Sequence, residues 1–249
     1  MSVLASEAST LVDELVVANH ILYDRGVVDG YGHISARVPD RSDTFHISRS
    51  LAPALVTADD IQTLDFSGND VNGDPRPTYL ERFIHAEIYR ARPDVMAVVH
   101  SHSPSVIPFS VSQGTRLRAV CQMCGFLEGE APVYEIRDDA GDGSDLLIRN
   151  PKLGAALVRK MEQHAAILMR GHGATIVGKS VRQAVFRSVY IELNARLQSS
   201  ALHLGPVTYL TPAEAAAVSA VADGQLDRTW LLWAQEVAER TGRPTVAIC

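Results

Sequence analysis

The sequence predicts an α/β layered domain whose sheet is mostly antiparallel or mixed. Three observations carry this. Short runs of β-branched and aliphatic residues, such as Val95-Met96-Ala97-Val98-Val99 and Ala165-Ala166-Ile167-Leu168-Met169, have the length and composition of buried strands. Other segments repeat apolar residues at helical spacing, as Leu11, Leu15, Ala18 and Leu22 do. Many strands are joined by short turns, which favour antiparallel neighbours.

With 249 residues, 46% of them hydrophobic, the chain has material for one sizeable core, and no composition shift marks a second. A single domain over residues 1–249 is expected, with the C-terminal helices (about 211–241) available for assembly. The net charge of -6 argues against nucleic acid as a partner and against a basic membrane-binding face. Cys121, Cys124 and Cys249 form no disulfide framework. The first two have zinc or redox spacing but no second pair, so they read as ordinary buried thiols. There is no basic leader and no apolar run of about 18 residues, so a soluble, cytoplasmic protein without a membrane span is expected.

Taken in order, Ser6 to Arg25 is an amphipathic helix stopped by Gly26. Asp29-Gly30-Tyr31-Gly32 is a turn-rich loop. His33 to Val38 alternates as a strand, Pro39 to Asp43 turns it back, and Thr44 to Ser48 is the return strand. A loop, Arg49 to Pro53, follows, then a capped turn at Thr57 to Asp60 and a strand from Ile61 to Phe66. The helix from about Leu80 to Arg90 has Glu81 in its first turn and His85 one turn later on the same face. The run from Val95 ends in His100-Ser101-His102. Pro104 to Ser112 reads as a short helix, and Leu117 to Val120 and Ala131 to Ile136 as strands around the loop Gln122 to Glu130. Pro151 to His164 is helical, Ala165 to Met169 is a strand, and Thr175 to Gly178 is another. A long helix spans Ser180 to Leu204, a capping box opens one at Thr211, and Asp227 to Arg240 is the last. Trp230, Leu231 and Trp233 give that last helix an apolar surface, available to a neighbouring subunit.

Strand alternation points His100 and His102 the same way, about 7 Å apart. Alone, the pair reads more readily as surface or hydrogen-bonded histidines than as metal ligands. Two further features join it. His172 ends another buried strand between Gly171 and Gly173, where the backbone turns tightly or approaches something closely. Glu81 opens the helix just before the His100 strand. Three imidazoles and a carboxylate suit a borderline divalent ion with positions left for substrate.

At Gly32-His33-Ile34-Ser35, Glu81-Arg82-Phe83-Ile84-His85, Val98-Val99-His100-Ser101-His102 and Gly171-His172-Gly173 the sequence resembles the class II aldolase/adducin family, over about residues 10 to 210. The resemblance implies a three-layer α/β/α fold with a central, mainly antiparallel sheet. It also implies a C4 homotetramer, or a higher assembly of it, with active sites between subunits. It makes His100, His102 and His172 the metal ligands, and Glu81 a further ligand or the catalytic base. Manganese is favoured by the decarboxylases of the family and zinc by its aldolases; histidine-rich sites also accept iron or cobalt.

The departures narrow the substrate. Sugar-phosphate aldolases of the family have Asn where this chain has His33, and a Ser-Ser pair where it has Tyr79-Leu80. Leucine cannot replace a phosphate-binding hydroxyl, so a sugar phosphate is not expected. Arg49, between Ser48 and Ser50, offers a fork for a carboxylate. The tyrosine that aldolases bring from a neighbouring subunit falls near Gln122, which donates a hydrogen bond but is no acid at neutral pH. The pattern is similar to the branch containing hydroxypyridine-dicarboxylate and dihydroxyphthalate decarboxylases. The expected function is metal-dependent decarboxylation of a hydroxylated aromatic or heteroaromatic acid, the metal stabilising the electron density left on the ring. His33, Glu81 or a water supplies the proton. Retro-aldol cleavage of an unphosphorylated hydroxy-keto acid, a non-haem iron oxygenase and a non-catalytic adducin-like module are the alternatives.

Overall fold

The computed structural model describes residues 2–39, 41 and 43–242, with side chains from residue 11 onward. Cys249 and two residues of the turn after the first strand lie outside the described residues. The order is α1 (Ser2–Asp24), β1 (His33–Arg37), β2 (Thr44–Ser48), β3 (Ile61–Asp65), α2 (Arg82–Ala91), β4 (Ala97–Ser101), α3 (Ile107–Val111), β5 (Val133–Tyr134), α4 (Arg137–Ala140), α5 (Pro151–Met161), β6 (Ala166–Met169), β7 (Gly173–Gly178), α6 (Val181–Leu204), α7 (Pro212–Asp223) and α8 (Leu226–Thr241). Among the described residues no helix is long and apolar enough to cross a membrane.

The strands form one seven-stranded sheet in the order β3-β2-β1-β4-β7-β6-β5. Every neighbouring pair is antiparallel except β5 and β6. Between those two strands the chain passes through α4 and α5, a crossover long enough to bring it back parallel. On β4, Val98 enters a core with α2 and α5, whereas Ala97 and Val99 pack on the other side with α1, α6 and α8. Ile34 and Ala36 of β1 share the α1 side. The strand period therefore turns His33 and Ser35 towards α2. Helices cover both faces, so the fold is the three-layer α/β/α arrangement expected from the sequence.

Side chains cap several helices: Asn150 accepts from Leu153 N, Ser180 from Gln183 N, and Thr211 with Glu214 makes a capping box. Three expectations are corrected. Leu117–Val120 is not a strand, because α6 supplies the partners a strand would have used. Arg118 N donates to Gln198 and Val120 N to Asn194, while the same two amides donate to the Arg116 and Arg118 carbonyls. Of Ala131–Ile136 only Val133–Tyr134 pairs in the sheet. The tryptophans of α8 are core, not surface. Trp230 and Trp233 are 2% and 6% exposed, sharing one helix face with Ala234 and Val237, and Leu231 and Leu232 are left outside. Cys124 is buried and Cys121 half-buried, both as free thiols.

Candidate metal centre

β4 is the middle strand, and its end carries His100, with His102 just beyond. His172 sits in the tight turn from β6 to β7. The two glycines around it do different jobs. Gly171 makes the turn at φ 66°, a left-handed conformation that favours glycine. Gly173 provides space: a Cβ there would lie 1.9 Å from the Ser101 carbonyl oxygen. Glu81 occupies the residue before α2, yet its side chain bonds to no N–H of that helix. It turns inward instead.

There it meets the histidines. His100 and His102 Nε2 are 3.2 Å apart, and His102 and His172 Nε2 are 3.0 Å apart. Glu81 Oε2 stands 3.4 Å from Nε2 of both His100 and His172. Ligand atoms of all four lie within 4.8 Å of one another. Nitrogens held at about 2.0–2.1 Å by a tetrahedral zinc lie roughly 3.3 Å apart, so the spacing fits a divalent ion. The four residues brought together are the four that the sequence singled out.

Their supports were not foreseen. The Leu146 carbonyl accepts from His172 Nδ1 at 3.0 Å, which leaves the Nε2 lone pair free to bind an ion. Two residues on, Ile148 N donates to Glu81 Oε1 at 3.0 Å. One segment thus orients two of the four donors. Leu146 itself has φ 68°, a strained conformation for leucine. Glu192 of α6, buried, accepts from Ser103 Oγ at 2.7 Å and Ser105 N at 3.1 Å, and so fixes the loop after His102. His100 Nδ1 is buried with no hydrogen-bond partner among the described residues, so packing sets that ring.

Electrostatics follow from the crowding. Burial works to raise the Glu81 carboxyl, but His100 and His172 prevail and hold it well below the usual carboxylate range. Burial works to lower His172, yet Glu81 and the Leu146 carbonyl raise it above its ordinary value. Burial, with His100 and His172 beside it, pushes His102 down to about 4. An imidazole binds a cation through a neutral ring nitrogen, so protons and metal compete for the same histidines. Apparent metal affinity should fall as the pH is lowered through the range in which imidazoles protonate. Chelator competition across that range measures it, and a flat profile would remove the histidines from the ligand set.

Three of the donors, Glu81, His100 and His102, border a cavity of about 380 Å³, within the range of small-ligand sites. Its wall includes Tyr31, His33, Ser50, Tyr79, Leu80 and Leu147, besides Glu81, His100 and His102. No lysine or arginine is part of that wall among the described residues. Ser48 is buried, its hydroxyl 3.1 Å from that of Tyr79. Arg49 is outside the wall; its Nε donates to Asp60 at 2.7 Å. Gln122 is not brought to this cavity within the chain and lines another one, with Tyr190 and Arg228. Tyr79, Tyr31 and Leu147 were not singled out from the sequence. Of these, Tyr79 had a signal, standing in place of a phosphate-binding serine.

The sequence profile of the Class II Aldolase and Adducin N-terminal domain matches residues 13–199. The chain is 36% identical over 255 residues to the decarboxylase tropJ of Talaromyces stipitatus, covering 92% of this chain and 95% of that protein. It is 31% identical over 210 residues to the 3,4-dihydroxyphthalate decarboxylase of Arthrobacter keyseri, covering 74% and 76% respectively. Among solved structures, L-fuculose 1-phosphate aldolase from Glaciozyma antarctica PI12 superposes with a TM-score of 0.79 at 24% identity, over 99% of this chain and 96% of that one. That likeness shows the fold.

Proposed function

Since the chain belongs to the class II aldolase and adducin family, we propose that it is a carboxy-lyase that removes carbon dioxide from a hydroxylated aromatic or heteroaromatic acid with the help of a divalent metal ion. The observation that carries this is the meeting of Glu81, His100, His102 and His172 at the edge of a cavity with Tyr79 and Leu80 in its wall. The relatives named as decarboxylases, at 36% and 31% identity, support the same reading.

His100, His102, His172 and Glu81 would hold the ion, manganese or zinc foremost. When bound, it supplies a Lewis acid that draws electron density from the ring through an adjacent substrate oxygen. The chain's own groups do the rest. Tyr79, Leu80 and Leu147 wall the cavity against the flat faces of an aromatic ring. Ser50 lies in the wall to accept or donate a hydrogen bond, whereas Arg49, tied through Nε to Asp60 outside the wall, does not reach a ligand in this cavity. Both oxygens of Glu81 are engaged, Oε1 by Ile148 and Oε2 by His100 and His172, so Glu81 serves as ligand and not as acid. The proton then falls to His33, whose Nδ1 is taken by His85 and whose Nε2 remains for the cavity. The bond to the carboxylate breaks with its electron pair left on the ring carbon, and that carbon takes the Nε2 proton. A proton from solvent in the cavity restores the imidazole.

Metal-loaded protein should release one carbon dioxide per phenol or hydroxypyridine product in a screen of hydroxybenzoates, dihydroxyphthalates and hydroxypyridine dicarboxylates. Release of an aldehyde or pyruvate without carbon dioxide would replace this reading with a retro-aldol one, and oxygen uptake would replace it with an oxygenase.

The active unit is a C4 homotetramer. Two features support it: among the described residues the cavity wall has no lysine or arginine, and Gln122 stands apart from its own chain's donors, which leaves room for a neighbouring copy to complete the site. Light scattering should give four times the 27.0 kDa chain mass. A monomer with full activity would rule the tetramer out.

A further inference from the structure

A line of hydrogen bonds leaves the cavity at His33 and runs back between β1 and α2. His33 Nδ1 stands 2.7 Å from His85 Nε2, and His85 Nδ1 stands 2.6 Å from Ser35 Oγ. Ser35 Oγ in turn stands 2.7 Å from the Tyr89 hydroxyl. His33 and Ser35 alternate on one face of β1, and His85 and Tyr89 are one turn apart on α2, so the two pairs interleave where strand and helix meet. Exposure is 4% for His33, 1% for Tyr89 and nil for Ser35 and His85.

The direction of the donors can be worked out. Burial pushes His85 down to about 3, so its ring is neutral and carries one proton. Both its nitrogens are in hydrogen bonds, so one donates and the other accepts. Burial pushes the Tyr89 phenol up, which keeps its proton on oxygen. Among the described residues Ser35 Oγ is the side-chain acceptor within its reach, so Tyr89 donates to Ser35. The Ser35 hydroxyl then donates onward to His85 Nδ1. His85 is left with its proton on Nε2 and donates it to His33 Nδ1. His33 must hold its own proton on Nε2, the nitrogen not used by His85.

We infer that His85, set by Ser35 and Tyr89, is a positioning residue that fixes His33 as the Nε2–H tautomer and keeps a proton donor on the cavity side of that ring. The inference rests on the reading above that His33 meets the ring carbon. During the reaction the Nε2 proton moves to the carbon that has lost carbon dioxide. The His85 Nε2–H bond to Nδ1 offsets the negative charge building on the imidazole, and cavity water returns a proton to Nε2. A residue that merely filled the gap between β1 and α2 would need no such ordered donors. Apolar groups of the same shape fill buried space at no cost in unmade hydrogen bonds.

The full-length protein, loaded with diamagnetic zinc and labelled with ¹⁵N-histidine, reads the tautomer directly. The His33 resonances, identified by their loss in His33→Asn, should show a protonated, pyrrole-type Nε2 and a bare, pyridine-type Nδ1. A protonated Nδ1 overturns the inference, whether or not the protein releases carbon dioxide. Two variants supply the second arm. His85→Gln retains an N–H for His33 and an acceptor for Ser35, and should keep the tautomer with kcat within about threefold of the parent. His85→Leu removes the donor, and should mix the tautomers and lower kcat by about 10²-fold, the scale of a misplaced acid, with KM within about twofold. Equal losses in the two variants would reduce His85 to a packing residue. If His85→Leu does not fold, the parent spectrum and His85→Gln still decide. A correct tautomer in a protein that releases no carbon dioxide would count against the proposed reaction and not against the role of His85.

Discussion

Replacing His172 with alanine is expected to abolish both bound metal and carbon dioxide release. Its Nε2 lies 3.0 Å from that of His102 and 3.4 Å from Glu81 Oε2, so its loss takes away one of four converging donors. Loss of a group that only orients a ligand already weakens metal binding by about 10–100-fold, and loss of a ligand itself should exceed that. Without the ion the charge on the ring has no electrophile to meet it, so the rate should fall by at least about 10²–10³-fold. The fold should survive, because His172 sits in a turn and not in the core. Elemental analysis and a carbon dioxide assay on the same preparation test both halves, and metal-free unfolding by heat supplies the control. His100→Ala should behave alike in metal and rate. Full activity in a metal-free His172→Ala protein would sink the proposed chemistry.

Gly173→Ala should be the most damaging single-methyl change near the site. Its Cβ would fall 1.9 Å from the Ser101 oxygen, and that oxygen is backbone at the β4–β7 pairing, where Ser101 faces Ala174. No rotamer change relieves the clash; the strands must part. The cost should be about 3 kcal/mol or more in denaturant unfolding, among the larger values for one substitution. Parting these strands also separates His102 from His172, so metal should be lost with stability. Gly171→Ala is the contrast. That position is open, with nothing nearer than 3.8 Å to the added atom, and its burden is only the left-handed φ of 66°. It should cost about 1 kcal/mol. Similar midpoints for the two variants would mean that β4 and β7 do not approach as closely as described.

The four converging side chains were legible because each stands where a regular period stops. His100 and His102 end an apolar run, His172 ends another, and Glu81 precedes a helix. Every one of these breaks is visible in one dimension. The supports were hidden for a different reason. Leu146 acts through its carbonyl and Ile148 through its N–H, and the backbone is the same in every residue. Glu192 is distant in sequence from the Ser103 it holds, inside a helix that its periodicity already explained. Leu117–Val120 was misread because its composition fits a strand while its partners, Asn194 and Gln198, belong to a helix. The His33–His85–Ser35–Tyr89 line left only a faint trace: polar residues two apart on a strand and four apart on a helix.

Three of the donors are mounted at the end of the middle strand of a seven-stranded sheet and on the turn leading into its neighbour, and the fourth stands at the start of α2, which packs on that sheet. The ordering entropy of gathering three imidazoles and a carboxylate is therefore spent when the sheet forms, not when an ion arrives. For an ion bound at these donors, uptake would then be set more by how fast the cation sheds its own water than by rearrangement of the chain.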